Sequence, residues 1–395
     1  YKMTKDIFLL GSTGSIGETT LKVIKKDKSN FKVKLLSTNK NAEKVYKQAI
    51  QFGVKKVVIF DKKSYLNNFK KFKEKKIKIF LTIKEALKKN KKKSFLTVNG
   101  IAGIEGLEPT LDIIKYSNNL AMANKESIIC GWQFIRKELQ KRHTRFVPLD
   151  SEHFSISSLI KDESKKNIKK IYLTASGGPF LYKNLKNIKN IKPKFALNHP
   201  NWKMGKKISI DSATLMNKIF EIIEAIKIFD MERSKFDILI HPKSYLHAIV
   251  NFKNGLTKLV AHETTMQIPI ANALYLSKNN YIYKSSNFNY HKLNSLNFIK
   301  PNIKNFPLLK ILNYKFKNTY FEIILVSIND MLVKNYLLNK ISYISIHNKM
   351  LELLKKPYFI KYYSSKPKNI KDIKSMVEIV NQYIIKNLKV NDWKS

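Results

Sequence analysis

Near its start the chain reads Asp6-Ile7-Phe8-Leu9-Leu10-Gly11-Ser12-Thr13-Gly14-Ser15-Ile16-Gly17. Residues 6–10, which are apolar after Asp6, predict a short buried strand, and residues 18–25 predict a helix. A strand, a glycine-rich turn and a helix in this order are the context in which dinucleotides bind, because glycines let backbone N–H groups approach a pyrophosphate at the positive end of the helix. The spacing is Gly-x-x-Gly-x-x-Gly, which differs from the commoner Gly-x-Gly-x-x-Gly. The alternative is an ordinary glycine-rich turn, and we predict a nucleotide site.

The end of the second predicted strand indicates which nucleotide binds. Residues 31–36 predict a strand, and Ser37-Thr38-Asn39-Lys40-Asn41 follows it. NAD enzymes usually offer an acidic residue to the ribose 2′-hydroxyl about 20 residues past the glycines. No acid is present here, and Lys40 suits a 2′-phosphate, so NADPH is favoured over NADH. The alternative is a solvated Lys40, since lysine is abundant throughout the chain.

Two acidic clusters indicate a metal site. Asp150 and Glu152 follow an apolar run, and in an extended segment residues two apart point the same way. Asn217 and Glu221 are four apart on a predicted helix and share a face, with Lys218 one turn from Glu221. Three carboxylates together repel one another unless a cation lies between them, and Mg²⁺ or Mn²⁺ favours such oxygen ligands. We predict one divalent ion on Asp150, Glu152 and Glu221; the alternative is that they are solvated surface acids.

The composition is strongly basic, with 75 Lys and Arg against 29 acids and a formal net charge of +46. Such a charge normally suggests nucleic acid or an anionic membrane as a partner. The excess is almost wholly lysine, and asparagine and isoleucine are also abundant, which is typical of an AT-rich genome. The lysine runs lack interleaved aromatic residues and match no nucleic-acid-binding motif. We therefore predict no specific nucleic-acid partner and no membrane partner.

Cysteine usage and the start of the chain bear on its cellular compartment. The single cysteine, Cys130, excludes an intramolecular disulfide and is expected to be a small buried residue. No apolar run reaches the ~18 residues of a membrane span. The chain reaches its first strand within a few residues, which leaves no room for a leader unless one has been removed. We expect the cytoplasm of a bacterium, or the lumen of a plastid-type organelle if a leader was removed.

The pattern of strands and helices changes twice along the chain. Up to residue 150 they alternate, which predicts an α/β, doubly wound Rossmann-like domain over 1–150. Residues 151–285 are mixed and predict a central α+β catalytic domain. A linker is expected over 286–305. Residues 306–395 lack glycine and show helical periodicity, which predicts a C-terminal helical bundle.

Several segments together resemble the 1-deoxy-D-xylulose 5-phosphate reductoisomerase family, and they cover the first two domains in order. They are Gly-Ser-Thr-Gly-Ser-Ile-Gly at 11–17, Ala-Asn-Lys-Glu-Ser at 123–127, Asp-Ser-Glu-His at 150–153, Ser-Gly-Gly-Pro-Phe at 176–180, His-Pro-Asn-Trp-x-Met-Gly at 199–205, Ile-Ser-Ile-Asp-Ser-Ala-Thr at 208–214, Asn-Lys-x-x-Glu at 217–221 and Ile-His-Pro-x-Ser at 240–244. The C-terminal third resembles the family only in being helical.

The resemblance implies an NADPH- and metal-dependent enzyme of the non-mevalonate isoprenoid pathway. It converts 1-deoxy-D-xylulose 5-phosphate to 2-C-methyl-D-erythritol 4-phosphate by a skeletal rearrangement followed by hydride reduction. The family's metal ligands match Asp150, Glu152 and Glu221, and its lysine beside the reacting oxygens matches Lys125. We therefore expect Lys125, Asp150 and Glu152 to be catalytic, and we also expect a homodimer.

The resemblance also assigns substrate and cofactor residues. The substrate positions are Lys125, Ser151, Glu152, Ser176, His199, Ser212, Asn217, Lys218 and Glu221. Trp202 and Met204 match a flap that closes over substrate, and His247 matches another active-site histidine unless it is simply buried. We expect the cofactor to contact Thr13, Gly14, Ser15, Ile16, Asn39, Lys40, Asn41, Asn124, Glu126 and Gly205.

Two positions depart from the family pattern. Asn198 stands where some members have an arginine that assists the 2′-phosphate, which places more weight on Lys40. The stretch Ile104-Glu105-Gly106-Leu107 is longer than in other members and is expected to alter a loop near the nicotinamide. Neither departure touches the metal ligands.

Three alternative functions are open. A semialdehyde-type NADP reductase would share the glycine turn but needs a cysteine nucleophile, and Cys130 falls in the middle of a predicted helix. A nucleic-acid-binding protein would explain the charge but not the carboxylates. A degenerate family member kept for a structural role would be expected to lose a carboxylate or Lys125, and none is lost.

Overall fold

The structure is a computed structural model that describes residues 4–202, 204–276, 290–294 and 296–387. Its contacts group into two compact units. The first comprises the described residues of 1–128, 133–154 and 265–284. The second comprises those of 129–132, 155–264 and 285–395. The domain boundaries expected at 150 and 285 remain predictions.

The first unit is built on a seven-stranded sheet in the order β4-β3-β2-β1-β5-β6-β7. All of its neighbouring strands are parallel. The strands β1 to β7 span Lys5–Leu10, Phe31–Thr38, Lys56–Ile59, Lys78–Phe80, Leu96–Asn99, Asn119–Met122 and Arg145–Pro148. The predicted doubly wound domain is therefore confirmed, and the glycine turn leaves the carboxyl end of the central strand β1, where such folds bind ligands.

Helices connect these strands and bury their apolar faces on the sheet. The helices α1 to α7 span Ser15–Lys26, Ala42–Phe52, Lys62–Glu74, Ile83–Leu87, Leu107–Ile114, Lys125–Arg142 and Ser151–Ile160, with a 3-10 turn at Ile104–Gly106. Asn41, Asp61 and Thr82 begin α2, α3 and α4 by accepting a hydrogen bond from a backbone N–H in the first turn. Cys130 is buried within α6, as expected.

A later helix, α11 (Gln267–Tyr275), also packs in the first unit. Ile270 and Leu274 join its hydrophobic core. The Tyr275 ring lies edge-on to Phe31 at 5.0 Å, and its hydroxyl donates to Asp27. The stretch 151–285 thus contains a helix that packs in the core of the first unit.

The second unit contains a four-stranded sheet in the order β11-β10-β8-β9. Its strands β8 to β11 span Ile168–Ala175, Phe236–Ile240, Leu246–Phe252 and Thr257–Ala261. The helices α8, α9 and α10 span Pro193–Ala196, Lys206–Ala213 and Met216–Phe229, with 3-10 turns at Lys165–Asn167, Leu185–Ile188 and Arg233–Lys235. Strand β8 pairs parallel to β9 and antiparallel to β10. The combination of this sheet with helices agrees with the predicted α+β class.

The C-terminal part is helical, as predicted. It contains α12 to α16 at Tyr290–Asn294, Tyr320–Leu337, Tyr343–Leu353, Pro357–Ile360 and Ile370–Asn387, with a 3-10 helix at Pro307–Asn313. Helix α13 begins with a capping box between Thr319 and Glu322. In the predicted linker, residues 286–289 and 295 lie outside the described residues, and Ile299 pairs with Ile240 at the sheet edge. Within the described ranges, no helix is both long enough and apolar enough to cross a membrane.

Candidate active site

The glycine turn after β1 is fixed by close backbone packing. Gly11 has φ +69°, and a Cβ on it would lie 2.8 Å from the backbone carbon of Gly100. Only glycine fits both constraints without strain. The Gly11 N–H donates to Ser37 Oγ at 3.0 Å, and the hydroxyls of Thr13 and Thr38 lie 2.9 Å apart. The turn is therefore held against the carboxyl ends of β2 and β5.

A cavity of about 710 Å³ opens at this turn, a volume in the range of ligand sites. It is lined by Gly11, Thr13, Gly14, Ser37, Thr38, Asn39, Phe60, Thr82, Ile83, Gly100, Ile101, Ala102, Glu105, Glu108, Pro109 and Asp112. Of the expected cofactor residues, Thr13, Gly14 and Asn39 belong to this lining. Gly14 offers α1 no side-chain cap, so the N–H groups at the start of α1 suit an anion.

The other expected cofactor residues lie in varied surroundings. Ser15 and Ile16 form the first turn of α1. Lys40 is exposed beside the cavity-lining Asn39, and the Asn41 side chain caps α2. Glu126 is buried in the first turn of α6, and Gly205 begins α9.

The Asn124 side chain forms hydrogen bonds with the loop after β5. Its Nδ2 donates to the carbonyl of Gly103 at 2.7 Å and to that of Ile101, while its Oδ1 accepts from the Ser127 N–H at 2.7 Å. The same side chain thus begins α6 and holds the cavity wall formed by residues 101–105. Within the stretch 104–107, which departs from the family pattern, Glu105 lines the cavity.

The expectation that Asp150 and Glu152 lie in an extended segment was wrong. Helix α7 begins at Ser151, so Glu152 lies in its first turn. The Asp150 side chain accepts from the Glu152 N–H at 3.2 Å, because a carboxylate satisfies N–H groups that have no partner within the helix. The Ser151 hydroxyl donates to the Glu152 carboxylate at 2.5 Å. A helix start, rather than strand alternation, sets the direction of both carboxylates.

Lys125, the first residue of α6, pairs with Asp150. Its ammonium donates to the Asp150 carboxylate, and the two side chains are only 11% and 17% exposed. Burial by itself would raise the pKa of Asp150, but Lys125 and His153 outweigh it and hold this pKa well below its usual range. Asp150 is therefore ionised at neutral pH and is a ready ligand for a cation.

Helix α10 carries the second acidic cluster with the predicted spacing. The Asn217 amide donates to Glu221 at 2.6 Å, and Lys218 forms an ion pair with Glu221. The Lys218 and Glu221 side chains are 5% and 2% exposed. The predicted shared face of Asn217, Lys218 and Glu221 is confirmed.

In the described part of the chain, one cluster of acidic residues meets the requirements of a metal site. Asp150, Glu152 and Glu221 each offer an oxygen, and these oxygens all lie within 4.8 Å of one another. An all-oxygen set with few protein ligands fits Mg²⁺ or Mn²⁺, which keep further positions for substrate oxygens.

His199 and Ser176 form a hydrogen bond whose direction follows from their neighbours. His199 Nδ1 accepts from the N–H groups of Asn201 at 3.1 Å and Trp202 at 2.9 Å. The proton of the neutral ring therefore lies on Nε2, 2.9 Å from Ser176 Oγ. Burial lowers the pKa of His199 to about 4, so the ring is neutral at physiological pH. Ser176 Oγ also accepts from the Gly178 N–H at 3.0 Å, which leaves its own proton for a ligand.

Gly178 brings the Ser176 loop against α9. It has φ +68°, and a Cβ there would lie 2.9 Å from Ala213 Cα and 3.0 Å from the Ser212 carbonyl oxygen. A side chain at this position would push the two segments apart. The close approach therefore places Ser176 and Ser212 in neighbouring segments.

A sharp turn joins α9 to α10. Leu215 there is 2% exposed and has φ +65°, a conformation that costs a non-glycine residue on the order of 1–3 kcal/mol. The Leu215 N–H donates to the Ser212 carbonyl at 3.2 Å. This turn links Ser212 to Asn217 and Lys218 on α10.

The predicted flap residues lie in the loop before α9. The Trp202 ring is half-buried and lies edge-on to His247 at 6.1 Å. His247 is 1% exposed and stacks on His262 at 3.7 Å, with its Nε2 3.2 Å from the His262 carbonyl. His247 therefore contacts Trp202 from a buried position. Met204 is half-buried in the same loop.

Some residues that line the cavity were not among the expected cofactor contacts. Ser37 and Thr38 at the end of β2, and Ile101, Ala102 and Glu105 after β5, line the cavity. The general placement of ligands at the carboxyl ends of parallel strands would have indicated them. No local pattern indicated the contacts that the C-terminal helices make with α9.

Comparison with known proteins identifies the family. Residues 7–131 match the model for 1-deoxy-D-xylulose 5-phosphate reductoisomerase. Residues 146–229 match the model for its C-terminal domain, and residues 262–383 match the model described as the DXP reductoisomerase C-terminal domain.

Relatives match along nearly the whole chain. A 1-deoxy-D-xylulose 5-phosphate reductoisomerase of Pelagibacter ubique is 50% identical over 381 residues, covering 95% of this chain and 98% of the relative. The structure of the Zymomonas mobilis enzyme in complex with NADPH superposes with TM-score 0.85 at 26% identity, covering 96% of this chain and 98% of that one. A structure in complex with NADPH, fosmidomycin and magnesium gives TM-score 0.88 at 28% identity, covering 97% and 99%.

Proposed function

The chain belongs to the 1-deoxy-D-xylulose 5-phosphate reductoisomerase family, and on this premise we propose how its residues perform that reaction. It is an NADPH- and divalent-metal-dependent enzyme that converts 1-deoxy-D-xylulose 5-phosphate to 2-C-methyl-D-erythritol 4-phosphate. The observation that carries the proposal is the group Asp150, Glu152 and Glu221, which is the donor set that such chemistry needs.

Asp150, Glu152 and Glu221 hold one Mg²⁺ or Mn²⁺ in this proposal. A divalent ion bound there would polarise the substrate carbonyl and stabilise negative charge on substrate oxygen. Lys125 keeps Asp150 ionised and lies beside it, where an ammonium can hold or donate a proton at a reacting oxygen. Ser151 orients Glu152 through its hydroxyl, so that the carboxylate has one preferred direction.

The substrate phosphate binds to side chains of the second unit. Ser176, Ser212 and Asn217 supply neutral donors, and Lys218 supplies one charge, a combination that suits a phosphate monoester. His199 holds the Ser176 hydroxyl so that its proton points away from the ring. The loop with Trp202 and Met204 excludes water when substrate is bound.

NADPH occupies the cavity at the glycine turn. The start of α1 and Thr13 hold the pyrophosphate, while Asn39, Lys40 and Asn41 at the end of β2 meet the 2′-phosphate. Asn124 shapes the wall near the nicotinamide, with Glu126 and Gly205 as further contacts. The cofactor supplies the hydride, and the protein supplies its position.

The deciding experiment measures NADPH oxidation with 1-deoxy-D-xylulose 5-phosphate, with and without Mn²⁺. We expect turnover only when substrate and metal are both present. Turnover that is unchanged after thorough chelation would contradict the metal role.

A homodimer is the proposed assembly. Strand β11 lies at an edge of the second sheet, and Thr257, Lys258 and Leu259 on it are exposed. An exposed edge strand with an apolar residue is a natural surface for pairing with a second copy. Light scattering at micromolar concentration should give twice the mass of the chain. Leu259→Lys should shift the measured mass toward that of the monomer.

The bacterial cytoplasm is the proposed location. The relatives are bacterial, and the substrate and NADPH are both water-soluble. Fractionation of a producing bacterium should recover the activity with cytoplasmic markers.

A further inference from the structure

The segment Asp211-Ser212-Ala213 at the end of α9 is fixed by contacts to its two buried residues. Asp211 and Ala213 are both 1% exposed, while Ser212 between them is partly exposed. Fixing the two buried neighbours therefore fixes the direction of the Ser212 Cα–Cβ bond, which limits the positions that its hydroxyl can reach. The contacts that fix them come from α13 and α14 of the C-terminal part.

Tyr343 on α14 holds the Ala213 end. Its hydroxyl donates to the Ala213 carbonyl at 2.8 Å, and its side chain is 1% exposed. Its ring lies edge-on to Phe180 at 5.2 Å, and Phe180 belongs to the loop that begins at Ser176. One side chain thus contacts both segments that carry the phosphate-binding serines.

Asn329 on α13 holds the Asp211 end. Its Nδ2 donates to Asp211 Oδ1 at 2.8 Å, and Asn329 is fully buried. Lys207, one turn earlier on α9, lies 3.1 Å from Asp211 Oδ2 and 3.0 Å from Asp330 Oδ1. Helix α9 is therefore anchored to α13 by directional polar contacts as well as by packing.

We propose that Tyr343 and Asn329 are positioning residues for substrate phosphate, acting through Ser212. This inference rests on the proposed phosphate-binding role of Ser212. It gives the C-terminal helices a part in recognition of substrate, although neither residue touches the phosphate.

A purely structural role predicts a different outcome, and the chain offers matched controls. Tyr336 is a buried tyrosine whose ring lies 5.8 Å from that of Tyr343, and its hydroxyl donates to the Ile191 carbonyl at 2.9 Å and not to α9. Asn335 on α13 donates to the Met331 carbonyl of its own helix at 2.8 Å. If the hydroxyl of Tyr343 mattered only for folding, Tyr343→Phe and Tyr336→Phe would have the same effects.

The test compares Tyr343→Phe with Tyr336→Phe in the full-length enzyme with Mn²⁺ and NADPH. Tyr343→Phe should raise the KM for the phosphorylated substrate, and the Kd of a phosphonate mimic, by about threefold to tenfold, the usual effect of one lost hydrogen bond. The Kd of NADPH should be unchanged. Tyr336→Phe should leave all three constants within about twofold of the wild type.

A double-mutant cycle identifies the route of the effect. In a Ser212→Ala background, adding Tyr343→Phe should change KM by less than about twofold, because the group that it positions is gone. Asn329→Ala should behave like Tyr343→Phe, and Asn335→Ala like the wild type. An undiminished Tyr343→Phe effect in the Ser212→Ala background would overturn the inference.

The outcomes separate this inference from the proposed function. Failure of the wild-type chain to turn over substrate would refute the proposed function. An active wild type with an unchanged KM and phosphonate Kd in Tyr343→Phe and Asn329→Ala would refute the positioning role alone.

Discussion

His199 Nε2 lies 2.9 Å from the hydroxyl oxygen of Ser176, and the opposite ring nitrogen accepts two backbone N–H groups. The histidine is therefore a neutral donor that orients a serine, and it is not placed to act as a general base at neutral pH. Its pKa of about 4 supports the same assignment.

The first prediction concerns this pair. His199→Ala should raise the KM for substrate by about tenfold with a smaller change in kcat, because the Ser176 hydroxyl loses the donor that fixes its direction. Asn198→Ala, an exposed neighbour, is the control. Steady-state kinetics of both variants decide it, and a loss confined to kcat would contradict a phosphate-positioning role.

The second prediction concerns the metal. Asp150→Asn, Glu152→Gln and Glu221→Gln should each abolish turnover, because each removes a charged ligand, whereas NADPH binding should remain nearly intact. Calorimetric titration with Mn²⁺ and with NADPH separates the two effects. Glu74→Gln removes an exposed acid and should behave like the wild type. Full turnover by any of the three ligand variants would exclude that residue from the site.

The third prediction concerns the cofactor. NADPH should bind about ten times more tightly than NADH, the lower end for a charge-assisted contact, since Lys40 is exposed. Lys40→Ala should reduce this preference, while Lys32→Ala, an exposed lysine on β2, should not. Fluorescence titration with both nucleotides measures the ratio. Equal affinities in the wild type would show that Lys40 is only solvated.

Much of the fold and the residue types of the site follow from local patterns. The strand before Gly11 and the shared helix face of Asn217 and Glu221 depend only on residues a few positions apart, so they can be predicted from the sequence. The start of α7 was misjudged because a single side chain, Asp150, begins it by capping Glu152, which strand periodicity does not reveal.

The contacts that fix the two neighbours of Ser212 were not predictable from the sequence. Asn329 and Asp211 are 118 residues apart, and Tyr343 and Ala213 are 130 apart. Contacts of this kind depend on how helices pack, and a single sequence holds no periodic signal for them. Residues that position a ligand without touching it are for this reason found only in the structure.

The fourth prediction concerns the flap. Trp202 fluorescence should change when a phosphonate substrate mimic binds, because the loop that carries it closes and excludes water. Trp202→Phe should abolish this change, while Trp132→Phe should retain it, since Trp132 is buried within α6. Limited proteolysis should cut between His199 and Gly205 only without the mimic. Equal protection in both states would indicate a fixed turn.

The last prediction concerns His347 and the dependence of stability on pH. His347 on α14 is fully buried, and neither ring nitrogen has a hydrogen-bond partner among the described residues. Burial lowers its pKa from 6.5 to about 4, because the charged ring would be desolvated. Between about pH 4 and pH 6.5 the histidine is protonated in the unfolded chain and neutral in the folded chain. The stability contributed by this residue is therefore present above pH 6.5, falls as the pH drops toward 4, and is constant below that.

The free energy of unfolding contributed by His347 falls by on the order of 3 kcal/mol over this pH range, from about 1.4 kcal/mol per pKa unit. His347→Leu should reduce the difference in the free energy of unfolding between pH 7 and pH 4.5, measured by urea denaturation. Some dependence should persist, because burial also lowers the pKa of His199 and His241. His143→Asn is the control, since His143 is exposed and asparagine tolerates its φ of +52°. If His347→Leu keeps the full wild-type difference, the buried ring is not the group that titrates.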